Sequence, residues 1–323
     1  MDKISKYILK VFLPSFFTIF FILGVIVSLI FIISISNVTS NIKITFLELF
    51  EMYLLSLPQI IFLSLSISFF IASVNVYSKF SETFELVALF SLGFKPFKIL
   101  KPVAVLALIF TFVNIFILFI SIPYSKAAFN NFKAKKTQEA KFNFQSAKVS
   151  QQLGEWSLFA STTKDKHFNN VYLFNNEKKE FIFANEANLH IKNRVLSFKL
   201  QNGKLYDFNK TFKIKYQNMK INQVIPTTRL SILNFKNYFK INKKLFTHYL
   251  PFALIPIALL FFIPLFSFFH PRLHKNHGLI YSILLLSIYI VFSFVNKKFE
   301  FAVVIPFIFL ITGGVLYKWK IKF

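Results

Sequence analysis

Glu82 and Glu85 are the two side chains best placed to do work in this sequence, because they open a short segment, Ser81 to Gly93, whose pattern is helical. Carboxylates near a helix N-terminus are favoured by the backbone dipole. Phe84, Val87, Ala88, Ser91 and Leu92 fall on one face at helical spacing, Gly93 suits the C-terminal cap, and Pro96 follows just beyond. A short amphipathic helix of this kind either lies on lipid headgroups or docks into a groove on a soluble partner, and the residues alone leave both readings open. His270, His274 and His277, spaced four and then three apart, could bring imidazoles together around a metal ion. Pro271 and the lack of a carboxylate in that turn weigh against it, so no metal is expected and the turn reads as a polar, partly cationic loop. The chain has no Cys, which excludes disulfide frameworks, thiol catalysts and thiolate metal sites. It also has no Gly-x-x-x-x-Gly-Lys-Ser/Thr loop, Gly-x-Ser-x-Gly elbow or His-Glu-x-x-His pair. The chain is therefore expected to be no enzyme and to bind no cofactor directly; energy must come from a partner or an ion gradient.

The elements that position these residues are membrane spans. Of 323 residues, 55% are hydrophobic and 48 are Phe, with a mean hydropathy of +0.57. Phe12 to Ile35 is uncharged and exceeds the roughly 20 residues that cross a bilayer. Leu54 to Val76, Pro102 to Ile122, Tyr249 to Phe269, Leu279 to Val295 and Phe301 to Tyr317 give five more predicted spans. These spans carry no Asp, Glu, Lys or Arg, which argues against an ion-coupled carrier. Twelve Lys and Arg lie in one set of short segments, among them Lys3, Lys95, Lys98, Lys101, Arg272 and Lys320. Only Lys43, Lys297 and Lys298 lie in the opposite set, so both termini are expected in the cytoplasm. The net charge of +25 has two readings, a biased coding background or attraction to an anionic lipid or polymer; no nucleic-acid partner is expected.

Between the third and fourth spans the period changes. Tyr124 to Lys141 reads as a helical extension of the third span. Trp156 to Thr163, Val171 to Phe174, Phe181 to Ala187, Val195 to Leu200, Lys204 to Phe208, Phe212 to Tyr216 and Met219 to Val224 then read as short strands. Asn202-Gly203 is the clearest hairpin signal. Such strands suggest an antiparallel sandwich or jelly roll. The predicted layout is residues 1–122 with three spans and a cytoplasmic helix near 81–93, residues 123–245 as the β domain, and residues 246–323 with three more spans.

Glu85-Leu86, Ala88-Leu89 and Gly93 resemble the Glu-Leu-x-x-Leu-x-x-x-Gly coupling helix of the lipopolysaccharide export permeases, the LptF/LptG family. Tyr7-Ile8, Pro58, Gly154-Glu155-Trp156 and Asn202-Gly203 sit where that family has similar features, so the resemblance covers the whole chain. It implies an α+β inner-membrane protein: six transmembrane helices with a periplasmic antiparallel β jelly-roll domain inserted between helices 3 and 4. It further implies a non-catalytic permease that pairs with a second, related six-span permease. A dimeric cytoplasmic ABC ATPase, which alone uses ATP, drives the pair and is engaged through Glu82, Glu85, Leu86, Ala88, Leu89 and Gly93. Lipopolysaccharide would enter between the first and fifth spans of the paired permeases and pass to periplasmic jelly-roll bridge proteins. The lipid-contacting candidates that follow are Lys43, Trp156, Leu158, Phe181, Phe183, Leu196, Phe198, Leu205 and Phe212. Two other readings compete. One is a membrane-anchored periplasmic assembly factor, for which six spans are excessive. The other is a permease of another ABC-type lipid or efflux system, which commonly has four spans and its large domain after the first.

Overall fold

A computed structural model describes residues 3–39, 44–142, 151–153, 156–164, 167–175, 179–192, 195–208, 212–224, 235–272, 275–295 and 298–321. The chain forms two compact units, one comprising Met1–Asn37, Leu49–Ala128 and Leu230–Phe323, the other Val38–Glu48 and Phe129–Arg229.

The first unit is helical. α1 (Lys3–Thr39) and α2 (Phe46–Glu82) are followed by the short α3 (Glu85–Ser91) and by α4 (Pro96–Phe116). A five-residue π-helical turn, Ile117–Ser121, runs directly into α5 (Ile122–Phe142), whose residues from Phe129 onward belong to the second unit. After the sheet come α6 (Phe235–Ala258), α7 (Phe262–Ser267), α8 (Gly278–Val295) and α9 (Phe299–Lys320). Among the described residues, five stretches are long and apolar enough to cross a membrane: Lys3–Asn37, Phe46–Glu82, Pro96–Ala134, Gly278–Val295 and Phe299–Lys320.

The fourth predicted span, Tyr249 to Phe269, is broken. α6 stops at Ala258, a turn covers residues 259–261, and α7 resumes. Pro264 has no amide hydrogen and its ring would meet the carbonyl four residues back. The chain responds by tightening: Leu260 N–H bonds Ile257 O at 3.2 Å and Ile263 N–H bonds Leu260 O at 3.3 Å. Irregular backbone is tolerable in hydrocarbon only when protein covers it. Ala253, Ile255, Ala258, Leu259 and Ile263 are accordingly all buried, and the Tyr289 hydroxyl of α8 donates to the Pro251 carbonyl at 2.7 Å.

Helix packing in this unit rests on aromatic contacts and small residues. Phe16 meets Phe110 edge-on at 4.9 Å and Phe12 meets Phe69 at 5.6 Å, which attaches α1 to α2 and α4. Ser64, Ser66, Ser68 and Ser73 are buried on α2, where small side chains permit close approach. Ser66 and Ser73 donate to the carbonyls one turn back at 2.8 and 2.7 Å, so these hydroxyls are satisfied within the helix. A π turn leaves a helix carbonyl without its regular partner; here the Tyr238 hydroxyl of α6 donates to Phe119 O inside the turn.

The second unit contains one six-stranded antiparallel sheet: β1 (Gln151–Leu153), β2 (Trp156–Lys164), β3 (His167–Asn175), β4 (Glu180–Lys192), β5 (Val195–Asp207) and β6 (Phe212–Val224). The fold is thus an α+β membrane protein with its sheet between the third and fourth predicted spans. The expected antiparallel roll takes the form of a meander in which every strand pairs with its sequence neighbour.

Asn202-Gly203 is not a hairpin, because both residues lie inside β5. Asn202 has φ +50°, and the ladder skips it: Gln201 and Gly203 pair with Glu186 and Ala184 on one side and with Asn218 and Tyr216 on the other. Asn170 on β3, with φ +51°, is skipped in the same row. The Asn-Gly signal therefore marks a local kink within long strands, which is why Val195 to Leu200 and Lys204 to Phe208 merge into one strand. Gly203 is required by closeness: a Cβ there would stand 2.1 Å from Phe183 O and 2.2 Å from the Tyr216 hydroxyl oxygen. Tyr216, directly across from Gly203, fills the missing side-chain volume and donates to Phe183 O at 2.8 Å.

Candidate functional site

A two-residue corner with one strained residue joins α2, which ends at Glu82, to α3, which begins at Glu85. Phe84 has φ +62°, a backbone region that costs a bulky side chain about 1–2 kcal/mol. Its ring offsets this with contacts, meeting the edge of His270 at 6.0 Å and lying 5.8 Å beneath the Arg272 guanidinium. At the other end Gly93, with φ +79°, closes α3 in a Schellman motif: its N–H bonds Phe90 O at 2.9 Å and Phe94 N–H bonds Leu89 O at 3.1 Å. Nothing lies within 4 Å of where a Gly93 Cβ would stand, so the demand for glycine there is conformational.

The inward face of α3 differs from the one the spacing predicts. Leu86 is 2% exposed, and Leu89 and Phe90 pack against the core, with Phe90 edge-on to Phe268 at 5.8 Å. Phe84, Ala88, Ser91 and Leu92 are turned outward, Leu92 at 72% exposure. Both sides of this seven-residue helix carry apolar residues, so periodicity had no means of choosing between them. Beside α3, a cavity of about 520 Å³ is lined by Leu86, Phe90, Phe268, His270 and Lys320.

The two carboxylates flank the α2–α3 corner, Glu82 ending α2 and Glu85 opening α3, and each bonds a different part of the helical unit. Glu85 Oε2 accepts the Tyr7 hydroxyl of α1 at 2.9 Å, and the Thr83 hydroxyl lies 3.0 Å from Oε1. The Tyr7 ring stacks on Phe80 at 5.7 Å, which fixes its direction. Glu82 Oε1 accepts from Asn276 Nδ2 at 2.9 Å, while Asn276 Oδ1 accepts the N–H of Gly278, the first residue of α8, at 3.0 Å. Alongside, the Ser81 hydroxyl donates to Ser267 O at 2.5 Å, at the end of α7. Gly278 allows this approach, since a Cβ would stand 2.5 Å from Ser78 Oγ. Tyr7 and Asn276 lie 78 and 194 residues from their acidic partners. Their polar type is visible in the sequence, but nothing in it signals the pairing.

The nine lipid candidates do not form one surface. Lys43 lies outside the described residues, as do the side chains of Trp156, Leu158, Leu196 and Phe198, whose backbones belong to β2 and β5. Leu205 packs with the buried face of Phe168, Val171, Leu173, Ile182 and Leu200, and Phe212 shares that side through its pairing with Asp207. Phe181 and Phe183 alternate with Ile182 and therefore point to the opposite face, where the Tyr172 ring meets both at a tilt, at 6.2 and 5.1 Å. Among the described residues no three metal-ligating side chains gather; His274 lies outside them.

No curated protein matches the chain. The description that matches it is that of a permease of the lipopolysaccharide export system, and it runs through every helix and strand named above. With residues 6–318 of 323 covered by that match, the chain belongs to the LptF/LptG family of lipopolysaccharide export system permeases.

Proposed function

We propose that the chain is one half of a two-permease extractor: a cytoplasmic ABC ATPase dimer drives the pair and grips this chain at α3, and lipopolysaccharide is drawn from the inner membrane between this chain and a second related permease. In this reading the α3 side lies in the cytoplasm and the sheet lies in the periplasm, where it hands the lipid to jelly-roll bridge proteins.

One observation carries the reading. The two acids that flank the α2–α3 corner are hydrogen-bonded to different partners: Glu85, the first residue of α3, to Tyr7 on α1, and Glu82, the last residue of α2, through Asn276 to the start of α8. α1 and α8 are the first and fifth spans, the pair between which the family's lipid is expected to enter. A displacement of α3 thus reaches α1 directly through Glu85, and reaches α8 through the two-residue corner that joins α3 to Glu82 at the end of α2. Among the five described stretches apolar enough to span a membrane, that of α1 is the least buried, with Phe17, Phe21, Val25 and Leu29 among its exposed side chains, so an apolar neighbour suits it. A carboxylate accepts up to about four hydrogen bonds. Glu85 can therefore hold Tyr7 and still receive an Arg or backbone N–H from the motor.

The test is Glu85→Ala in the full chain, with co-purification of the ATPase and ATP-driven lipopolysaccharide release as readouts. A folded, inserted variant that loses release is expected; unchanged release would remove α3 from the coupling path.

A further inference from the structure

A groove runs between α1 and α4, beginning at the end where α3 lies, and encloses about 900 Å³. Its charged part is made by Lys95, Lys98 and Lys101, all exposed and spaced three apart at the start of α4. Its walls further along are apolar: Leu9 from α1, with Val105 and Ile109 from α4. Among the described residues no Asp or Glu lines it. At 1.5 Å per residue, Lys98 and Ile109 are about 16 Å apart along α4. That is close to half of the roughly 30 Å hydrocarbon core, the depth of one leaflet.

We infer that this groove is a binding site for a single anionic glycerophospholipid, its phosphate among the three lysines and an acyl chain along Val105 and Ile109. Charge selects the headgroup. A zwitterionic lipid brings its own cation to the lysines, whereas an anionic one does not. Depth selects a lipid over a peptide, because the apolar wall continues along the spanning part of α4 through the exposed Leu108 and Phe112. This site is separate from the first-and-fifth-span route proposed for lipopolysaccharide, and it does not depend on which motor drives the chain.

Native mass spectrometry of the full chain, titrated with phosphatidylglycerol or phosphatidylcholine, tests it. Wild type is expected to retain one phosphatidylglycerol at least about tenfold more tightly than phosphatidylcholine, in line with the contribution of each surface lysine to anionic-lipid attraction. The Lys95→Gln, Lys98→Gln, Lys101→Gln triple variant should lose that preference. Ile109→Trp, which fills the apolar half and leaves the lysines in place, should weaken retention of both lipids. If the triple variant fails to insert, Lys98→Gln and Lys101→Gln singly should each reduce the preference. Equal affinity for the two headgroups in wild type, an intact preference in the lysine variants, or lipopolysaccharide displacing phosphatidylglycerol with the same lysine dependence would each overturn the proposal.

Discussion

Asn276 carries more at the scale of a single residue than its loop position suggests, since its amide end reaches Glu82 and its carbonyl end caps α8. The two roles can be separated. Asn276→Asp keeps an acceptor for Gly278 N–H but faces Glu82 with a second carboxylate, whereas Asn276→Ala loses both bonds. We expect both variants to insert and both to lower ATP-driven release. Only Asn276→Ala should speed amide exchange at residues 278–281, because an absent N-cap costs about 1 kcal/mol. Tyr216 and Gly203 form a second interdependent pair. Gly203→Ala drives a methyl into Phe183 O and Tyr216 and should cost about 3 kcal/mol of sheet stability. Tyr216→Phe should cost about 1 kcal/mol through the lost hydrogen bond. Burial raises the Tyr216 pKa from 10.0 to about 12, so the unfolded chain ionises first. The associated stability is full below pH 10 and is lost as pH rises toward 12. An alkaline unfolding titration should show that loss in wild type and lack it in Tyr216→Phe.

Among elements, α3 is held by its ends more than by its length. Seven residues are too few for a helix to persist on propensity. The Phe84 corner and the Gly93 cap therefore set its position, with Leu86 as its inward anchor. Gly93→Ala should cost about 1 kcal/mol or more, since Ala pays for positive φ and gains no contact in the open space there. Amide exchange at Leu92 to Phe94 should accelerate about fivefold, while the amides of α2 remain unchanged. The broken α6–α7 segment follows the same logic. Its prolines forbid a straight helix, and burial among other helices satisfies the groups that they release.

For the whole molecule the decisive question is sidedness, and the absence of Cys makes it directly measurable. Ser91→Cys and Glu186→Cys place single thiols at exposed positions of α3 and β4. In intact spheroplasts an impermeant thiol reagent should label Glu186→Cys, and it should reach Ser91→Cys only after permeabilisation. The reverse pattern would leave no cytoplasmic motor able to reach α3. The sequence by itself determined the apolar spans, the strand-rich insertion, the acidic helix and its glycine cap, because each is written in a local period or a backbone preference. Tertiary structure alone decided the rest. It turned Leu86 inward and Leu92 outward, made Asn202-Gly203 a kink, divided Phe181 and Phe183 from Leu205, and bonded Glu85 to Tyr7 and Glu82 to Asn276. Those outcomes depend on which distant backbone supplies a neighbour, and no spacing within a short segment encodes that.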